Sequence, residues 1–393
     1  MLEKIKSLSE KYFTETQAYR HHIHSNPELS FQEFETSAYI QAQLKAMDIQ
    51  FEVKAETGIV AHVLGKNPSR KVVALRADID ALPIQETNEV SYKSKNAGIM
   101  HACGHDVHTS SLLTSLKILN ETKEEWEGSV KAVFQPAEEK LPGGASIMIK
   151  EGALENPKAE SIIGQHVMPL IETGKVGFRS GKYMASTDEL YIKVIGKGGH
   201  GAMPQFNIDP VLIASHMIVA LQQVVSRNAD PKTPSVLSFG KVIANGATNV
   251  IPNEVYIEGT FRTLDEAWRA KAHEHIRTIA TGLVESMGGK LELEIRKGYP
   301  FLINDEHVTA KAKAAAENYL GKENVLDLDI WMAAEDFAYY SQIMPASFYR
   351  LGTGNKAKGI TASVHTPNFN IDEESLKIAP GLMAWIAIKE LGN

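Results

Sequence analysis

The stretch ELYIKVIG, Glu189–Gly196, alternates apolar and polar side chains as a strand does, and the hundred or so residues after it decide the fold. DPVLIASHMIVALQQVVSR (Asp209–Arg227) has helical spacing. SVLSFGKVIA (Ser235–Ala244) and EVYIEGTFR (Glu254–Arg262) read as two strands joined by a turn-rich link. LDEAWRAKAHEHIRTIATGLVESMG (Leu264–Gly288) reads as a helix, and KLELEIR (Lys290–Arg296) alternates strictly. The order β-α-β-β-α-β is the split βαβ, or ferredoxin-like, pattern. It covers residues 186–297 and suits a compact unit with its own core.

The pattern changes on both sides of that segment. A helix is expected from Glu3 to His22, a break at SNPELSF (Ser25–Phe31), and a second helix from Glu33 to Met47. Short β-rich runs follow: IQFEVKA, GIVAHVLG and KVVALRA. A helix after His105 leads to the strands GSVKAVFQ and AESIIGQHV, the latter ending near His166. The pattern resumes near Gly298 and runs to a terminal helix, Glu373 to Leu391. Strands alternating with helices argue an α/β domain with a mostly parallel sheet. The simplest architecture is a larger α/β domain, residues 1–185 and 298–393, interrupted by the inserted ferredoxin-like domain at 186–297.

Bulk properties narrow the function class. A chain of 393 residues exceeds one ordinary core. With 43% hydrophobic and 23% charged residues it has the composition of a globular enzyme. The net charge of −7 and the lack of a long basic run argue against nucleic acid. Charges interrupt MLEKIKSLSEKYF from Glu3, so no signal-peptide core is expected there. No apolar run reaches the roughly 18 residues that span a bilayer. The single cysteine gives no sign of an oxidising compartment. The expectation is a cytoplasmic enzyme with no membrane partner.

The polar residues collect in turns beside strands. RADIDALP follows KVVAL and offers Asp78 and Asp80; QPAEEKLPGG follows GSVKAVF and offers Glu138 and Glu139. GQHVMP carries His166, and SVHTPNF carries His365 in a loop before the last helix. Ligands of open α/β sheets bind outside the carboxyl ends of strands, so these clusters are candidates for one crevice. MHACGHDVHT (Met100–Thr109) contains the only cysteine, Cys103. A nucleophile reading would pair it with His101 or His105 as base. A ligand reading fits the surrounding His and carboxylate groups, and the Glu-Glu step suits a metal-activated water with one ligand and one base. A third reading, apolar filler, fits poorly in a loop flanked by His and Asp. The residues favour metal over thiol chemistry and leave both open.

MHACGHDVHT, VFQPAEE, GQHV, GKGGHGAMP and VHTPNF occur in this order, together with YRHHIHSNPELSFQEFET and LRADIDALPIQE. On these motifs the whole chain resembles the M20 family of metallopeptidases and amidohydrolases. The likeness is to its amidohydrolase branch of N-acyl-amino-acid amidohydrolases, hippurate hydrolases and indole-acetyl-amino-acid hydrolases. The resemblance implies a larger metal-binding catalytic domain and an inserted lid or dimerisation domain. It implies two divalent metal ions (zinc, manganese, nickel or cobalt), with ligands at Cys103, His105, Glu139, His166 and His365. Cys103 would bridge, with His105 and His166 on one metal and Glu139 and His365 on the other. Many relatives have a histidine ligand in an H-x-D motif where this chain reads Arg76-Ala77-Asp78; His105 is then its substitute.

The resemblance also assigns Glu138 as general base and Asp78 as an orienting carboxylate. His200 of GGHGAMP would donate to the oxyanion, and Asn249 and Arg262 would hold substrate. Asp80 reads equally as a turn residue. The implied reaction is hydrolysis of N-acyl amino acids, with a dipeptidase or aminopeptidase of the same family as the alternative. A homodimer or homotetramer through the inserted domain is expected, with His200 acting across the interface. Other histidines are read as structural: His21, His22 and His24 at the end of the first helix, His273 and His275 on a solvated helix face, His101 and His108 in packing or supporting roles.

Overall fold

The computed structural model describes residues 1–392. The chain divides into two units. One comprises Met1–Lys182, Ile303–Ile330 and the residues from Asp336 onward; the other comprises Tyr183–Leu302 and Trp331–Glu335.

The first unit is built on an eight-stranded mixed sheet. Its strands include β1 (Gln50–Lys54), β2 (Gly58–Leu64), β3 (Val72–Asp78), β4 (Ser129–Gln135), β5 (Ser161–Glu172) and β6 (Val176–Phe178). The order is β1, β2, β4, β3, β5, then Ala346–Gly354, β6 and Val325–Asp327. The centre, β4–β3–β5 and on to Ala346–Gly354, is parallel, while β1/β2 and β2/β4 are antiparallel. Every residue of β3 and β4 is buried. That two-sided burial explains why VVALRAD and SVKAVFQ do not alternate cleanly.

Four helices matter for the site: α1 (Leu2–Lys11), α2 (Phe13–Ser25), α3 (Phe34–Ala46) and α4 (His105–Glu121). The single opening helix expected from the sequence is divided at Tyr12, whose φ and ψ are −91° and 5°. Thr16 Oγ1 donates to the Tyr12 carbonyl at 2.9 Å beside the Thr16 N–H, a back-bond that bends helices. The terminal helix is also shorter than expected. A single tight turn, Glu373–Lys377, precedes the helix Ala379–Glu390, because Pro380 has no N–H to continue a ladder. Strand β5 runs six residues past His166, so that histidine stands inside the strand and not at its end. No helix among the described residues is long and apolar enough to cross a membrane.

The second unit is ferredoxin-like. Its sheet runs Ser235–Ile243, Glu254–Thr263, Asp188–Ile195, Lys290–Lys297, all antiparallel. The alternation read from Glu189–Gly196 is real: Leu190, Ile192 and Val194 are buried and their neighbours half-buried. They pack on Ile213, Met217 and Leu221 of the helix Pro210–Leu221 and on Ile276, Ala280 and Val284 of the helix Glu266–Ser286. Asp209 and Asp265 cap those helices through the N–H groups of Val211 and Trp268. His273 is not on a solvated face. Its Nε2 lies 2.6 Å from Asp188 Oδ2, and Arg269 grips both oxygens of the same carboxylate at 2.5 and 2.9 Å. His275 does lie on the outer side, against Trp268.

Candidate metal centre

The parallel register carries the polar turns to one end of the sheet. Asp78 pairs with Gln135 at the ends of β3 and β4, so Asp80 and the Glu138–Glu139 pair leave the sheet side by side. Helix α4 starts at the same edge. Gly104, with φ +85°, turns the chain into it; a Cβ there would lie 2.5 Å from Val167 Cγ2. Cys103 and His105 flank this glycine and therefore face β5, where His166 stands.

Three imidazoles present Nε2, because other contacts occupy the opposite ring nitrogen or leave Nε2 directed inward. His166 Nδ1 donates to the Val167 carbonyl at 2.7 Å, and its Nε2 lies 3.4 Å from Cys103 Sγ. His105 Nδ1 donates to the Asp80 carbonyl at 2.9 Å, with Asp80 Oδ1 at 3.2 Å. His365, in left-handed backbone with φ 62°, brings Nε2 to 3.2 Å from both Cys103 Sγ and Glu139 Oε1. The ligand atoms of Cys103, His105 and His166 all lie within 4.8 Å of one another, and so do those of Cys103, Glu139 and His365. Cys103 belongs to both sets.

The donor set fits divalent cations. Two ligand atoms each about 2.0–2.3 Å from one cation stand roughly 3–4 Å apart, and the contacts at Cys103 Sγ are 3.2 and 3.4 Å. His105 Nε2 and Glu139 Oε1 are buried with no hydrogen-bond partner. Buried polar atoms are otherwise almost always paired. The charges point the same way. Burial alone would lower the His105 imidazole, but Asp78, Asp80 and Glu139 outweigh it and raise it to about 10. Burial, then Glu139, Glu138 and Asp78, push the Cys103 thiol well above its usual value. Burial and Arg350 push His166 down. A nucleophilic thiol needs surroundings that lower its pKa; here burial and the neighbouring carboxylates raise it.

Around these candidate ligands lie residues whose local sequence understates them. Asp80 is fully buried and is more than a turn residue. Its Oδ2 accepts from Ser30 Oγ at 2.6 Å and from the Glu139 N–H at 3.0 Å, so it ties His105 to Glu139. His108 Nδ1 donates to Asp78 Oδ1 at 2.5 Å while its Nε2 accepts from the Val167 N–H at 2.9 Å, which leaves no nitrogen for a cation. Glu138 is nearly buried, and its Oε1 accepts from the Asp336 N–H at 3.4 Å. Asp336 escapes a reading by motif, although AAEDF carries the same adjacent acidic pair that marks QPAEE. His101 is buried and lowered to about 4 by that burial. His24 has acidic partners after all, Asp106 at 2.9 Å and Glu86 at 3.1 Å, both remote in sequence. His21 reaches Glu373, and His22 stacks on Tyr39.

The three remaining site candidates lie in the second unit. His200 is exposed and pairs with Val250 in a two-residue ladder, which sets Asn249 beside it. His200 Nδ1 accepts from the Ala202 N–H at 3.1 Å, so the neutral ring carries its proton on Nε2. Arg262 is elsewhere. Glu254 opposes Ile195 at the His200 end of the strand, and Arg262 is eight residues further along. At about 3.3 Å per residue that is roughly 25 Å. Arg262 is half-buried, with Nη1 donating to the Met332 carbonyl at 3.3 Å.

Residues 74–388 match the peptidase family M20/M25/M40. The N-acyl-L-amino acid amidohydrolase of Geobacillus stearothermophilus is 42% identical over 303 residues, 77% of this chain and 81% of that one. The IAA-amino acid hydrolase ILR1-like 4 of Arabidopsis thaliana is 41% identical over 378 residues, 95% and 84% of the two chains. Among solved structures, the YXEP protein of Bacillus subtilis, a dinuclear metal binding peptidase from the M20 family, superposes with a TM-score of 0.83. It shares 34% identity, over 97% of this chain and 99% of that one. The chain belongs to peptidase family M20/M25/M40 and is a metal-dependent hydrolase of its amidohydrolase branch.

Proposed function

We propose that this enzyme hydrolyses the amide bond of N-acyl amino acids at a dinuclear metal centre. The observation that carries the reading is the position of Cys103 Sγ in two ligand sets at once, beside His105 Nε2 and Glu139 Oε1, which are buried without a hydrogen-bond partner. Cys103, His105 and His166 would hold one divalent cation, and Cys103, Glu139 and His365 the other. Zinc, manganese, cobalt and nickel all suit mixed thiolate, imidazole and carboxylate ligands. Such cations, when bound, acidify a water and polarise a carbonyl oxygen.

The chain's own residues do the rest. Glu138 takes the proton from the attacking water as the new C–O bond forms, and returns it to the amine nitrogen as the C–N bond breaks. Asp78 fixes His108, which fixes the backbone next to His166. His200 donates from Nε2 to the oxyanion. Asn249 contacts the substrate beside His200, and Arg262 takes the free carboxylate of the amino acid in its guanidinium fork.

His200 and Arg262 are too far apart in one inserted unit to meet on one small substrate, which supports a homodimer with His200 supplied by the partner. The unit has a surface for it. Ser235–Ile243 is an unpaired sheet edge bearing exposed Val242 and Ile243, and the helix Pro210–Leu221 exposes Val211, Leu212 and Val219.

The test is amine release from N-acetyl, N-benzoyl and indole-acetyl amino acids and from dipeptides, with metal-loaded enzyme, with and without EDTA. Release from acyl-amino acids that EDTA abolishes is the expected result. Preference for dipeptides would move the activity to the peptidase side. Release that survives EDTA would contradict the metal reading.

A further inference from the structure

Two carboxylates stand beside the ligand cluster without belonging to either set built on Cys103, and one guanidinium holds both. Arg76 lies on β3 with no exposed surface. Its Nη1 donates to Asp78 Oδ2 at 2.6 Å, its Nη2 to Asp336 Oδ1 at 2.8 Å, and its Nε to Gln135 Oε1 at 2.9 Å. Gln135 Nε2 donates to both oxygens of Asp336 at 2.8 Å, and the Ala145 N–H adds a bond to Oδ2 at 3.0 Å. His108 Nδ1 completes Asp78 from the other side. Each oxygen of both carboxylates therefore has a donor.

Without those donors an Asp78 oxygen would stand within ligand range. Its Oδ2 is 3.6 Å from His105 Nε2, the atom offered to a cation. Asp78, His105 and His108 present atoms within 4.8 Å of one another. Divalent cations bind carboxylate oxygen readily, so a released aspartate there competes with a thiolate for them. The planar guanidinium fork occupies three acceptors at fixed angles; a lysine ammonium, a point charge on a flexible stem, does not.

We propose that Arg76, anchored on Asp336, is a positioning residue that keeps Asp78 out of the ligand set, so that the Cys103 thiolate is the group the two cations share. The inference rests on the dinuclear reading above. The same geometry links it to the base, because the Asp336 backbone that Arg76 anchors also donates to Glu138.

The test titrates full-length, metal-free protein with cobalt(II), whose thiolate charge-transfer absorption reports sulfur ligation independently of turnover. Two Arg76 variants are compared, Arg76→Lys and the charge-balanced Arg76→Met/Asp336→Asn, each first checked for native fold by circular dichroism. Folded variants should bind as much cobalt as wild type with part of the thiolate absorption lost. Adding Asp78→Asn to either should restore it. Wild-type spectra from folded Arg76 variants would overturn the proposal. If neither folds, a crystal structure of the cobalt-loaded wild type decides: an Asp78 oxygen within bonding distance of a cobalt overturns the proposal, and Asp78 held by Arg76 and His108 alone supports it. Wild-type protein that takes up cobalt without any thiolate band removes the dinuclear reading itself, and the inference with it.

Discussion

Buried charge is handled in opposite ways in the two units. In the inserted unit, Asp188 has no exposed side-chain surface, and its carboxylate accepts from Arg269, from His273 and, at 3.2 Å, from the Gly298 N–H. The pair joins the first strand to the second helix and to the end of the last strand, and nothing is left over. In the first unit, Asp78, Asp80, Glu138 and Glu139 surround a buried thiol, yet His105 Nε2 and Glu139 Oε1 have no hydrogen-bond partner. A satisfied network is a structural joint. An acidic network whose ligand atoms lack hydrogen bonds is a candidate site for cations. Substitutions in the two places should therefore fail in different ways.

The largest effect is expected at Glu138. Glu138→Ala should lower kcat by about 10²–10⁴-fold, the usual range for a general base, with metal content unchanged. Steady-state kinetics beside elemental analysis check it; a loss of metal in step with activity would make Glu138 a ligand instead.

Asp188→Asn should do the reverse. Removing one partner of a buried pair costs about 3–5 kcal/mol, so the inserted unit should melt earlier while metal content of the folded protein stays at the wild-type level. Calorimetry would show this as a lowered or newly separated transition.

His108→Asn keeps a donor near Asp78 but gives up the acceptor for the Val167 N–H. Loss of such a support typically costs about 10–100-fold in metal affinity. Competition with a chelator of known strength measures it, and an unchanged affinity would remove His108 from the centre's support.

The smallest effect is on pH dependence. Burial alone would raise the Asp188 carboxyl, but His273 and Arg269 outweigh it and hold it below its usual value. A carboxyl depressed in the folded state contributes stability above its unfolded pKa of about 3.9 and loses it as pH falls through the folded value. Thermal stability of the inserted unit should thus fall with acidification below that unfolded value, and less steeply in Asp188→Asn. Equal slopes would mean the contribution lies elsewhere.

The inserted unit was legible because its signals are local. Alternation in ELYIKVIG and KLELEIR and helical spacing between them are set by residues within a few positions of one another. The motifs of the metal centre were legible as clusters for the same reason. What escaped was long-range. Nothing near Arg76 in the chain announces Asp336, and nothing near His24 announces Asp106 and Glu86. His273 looked solvated because its helix neighbours are charged, while its partner is 85 residues away. Asp80 was ambiguous because an aspartate in a turn has the same local signature whether it caps or supports a ligand.

The most direct measurement is the number of zinc ions bound at equilibrium per chain, in wild type and Cys103→Ala, by dialysis and elemental analysis. Two are expected in the wild type, with Cys103→Ala retaining fewer and losing hydrolysis. Wild-type zinc occupancy in Cys103→Ala would contradict a shared thiolate at the heart of the site.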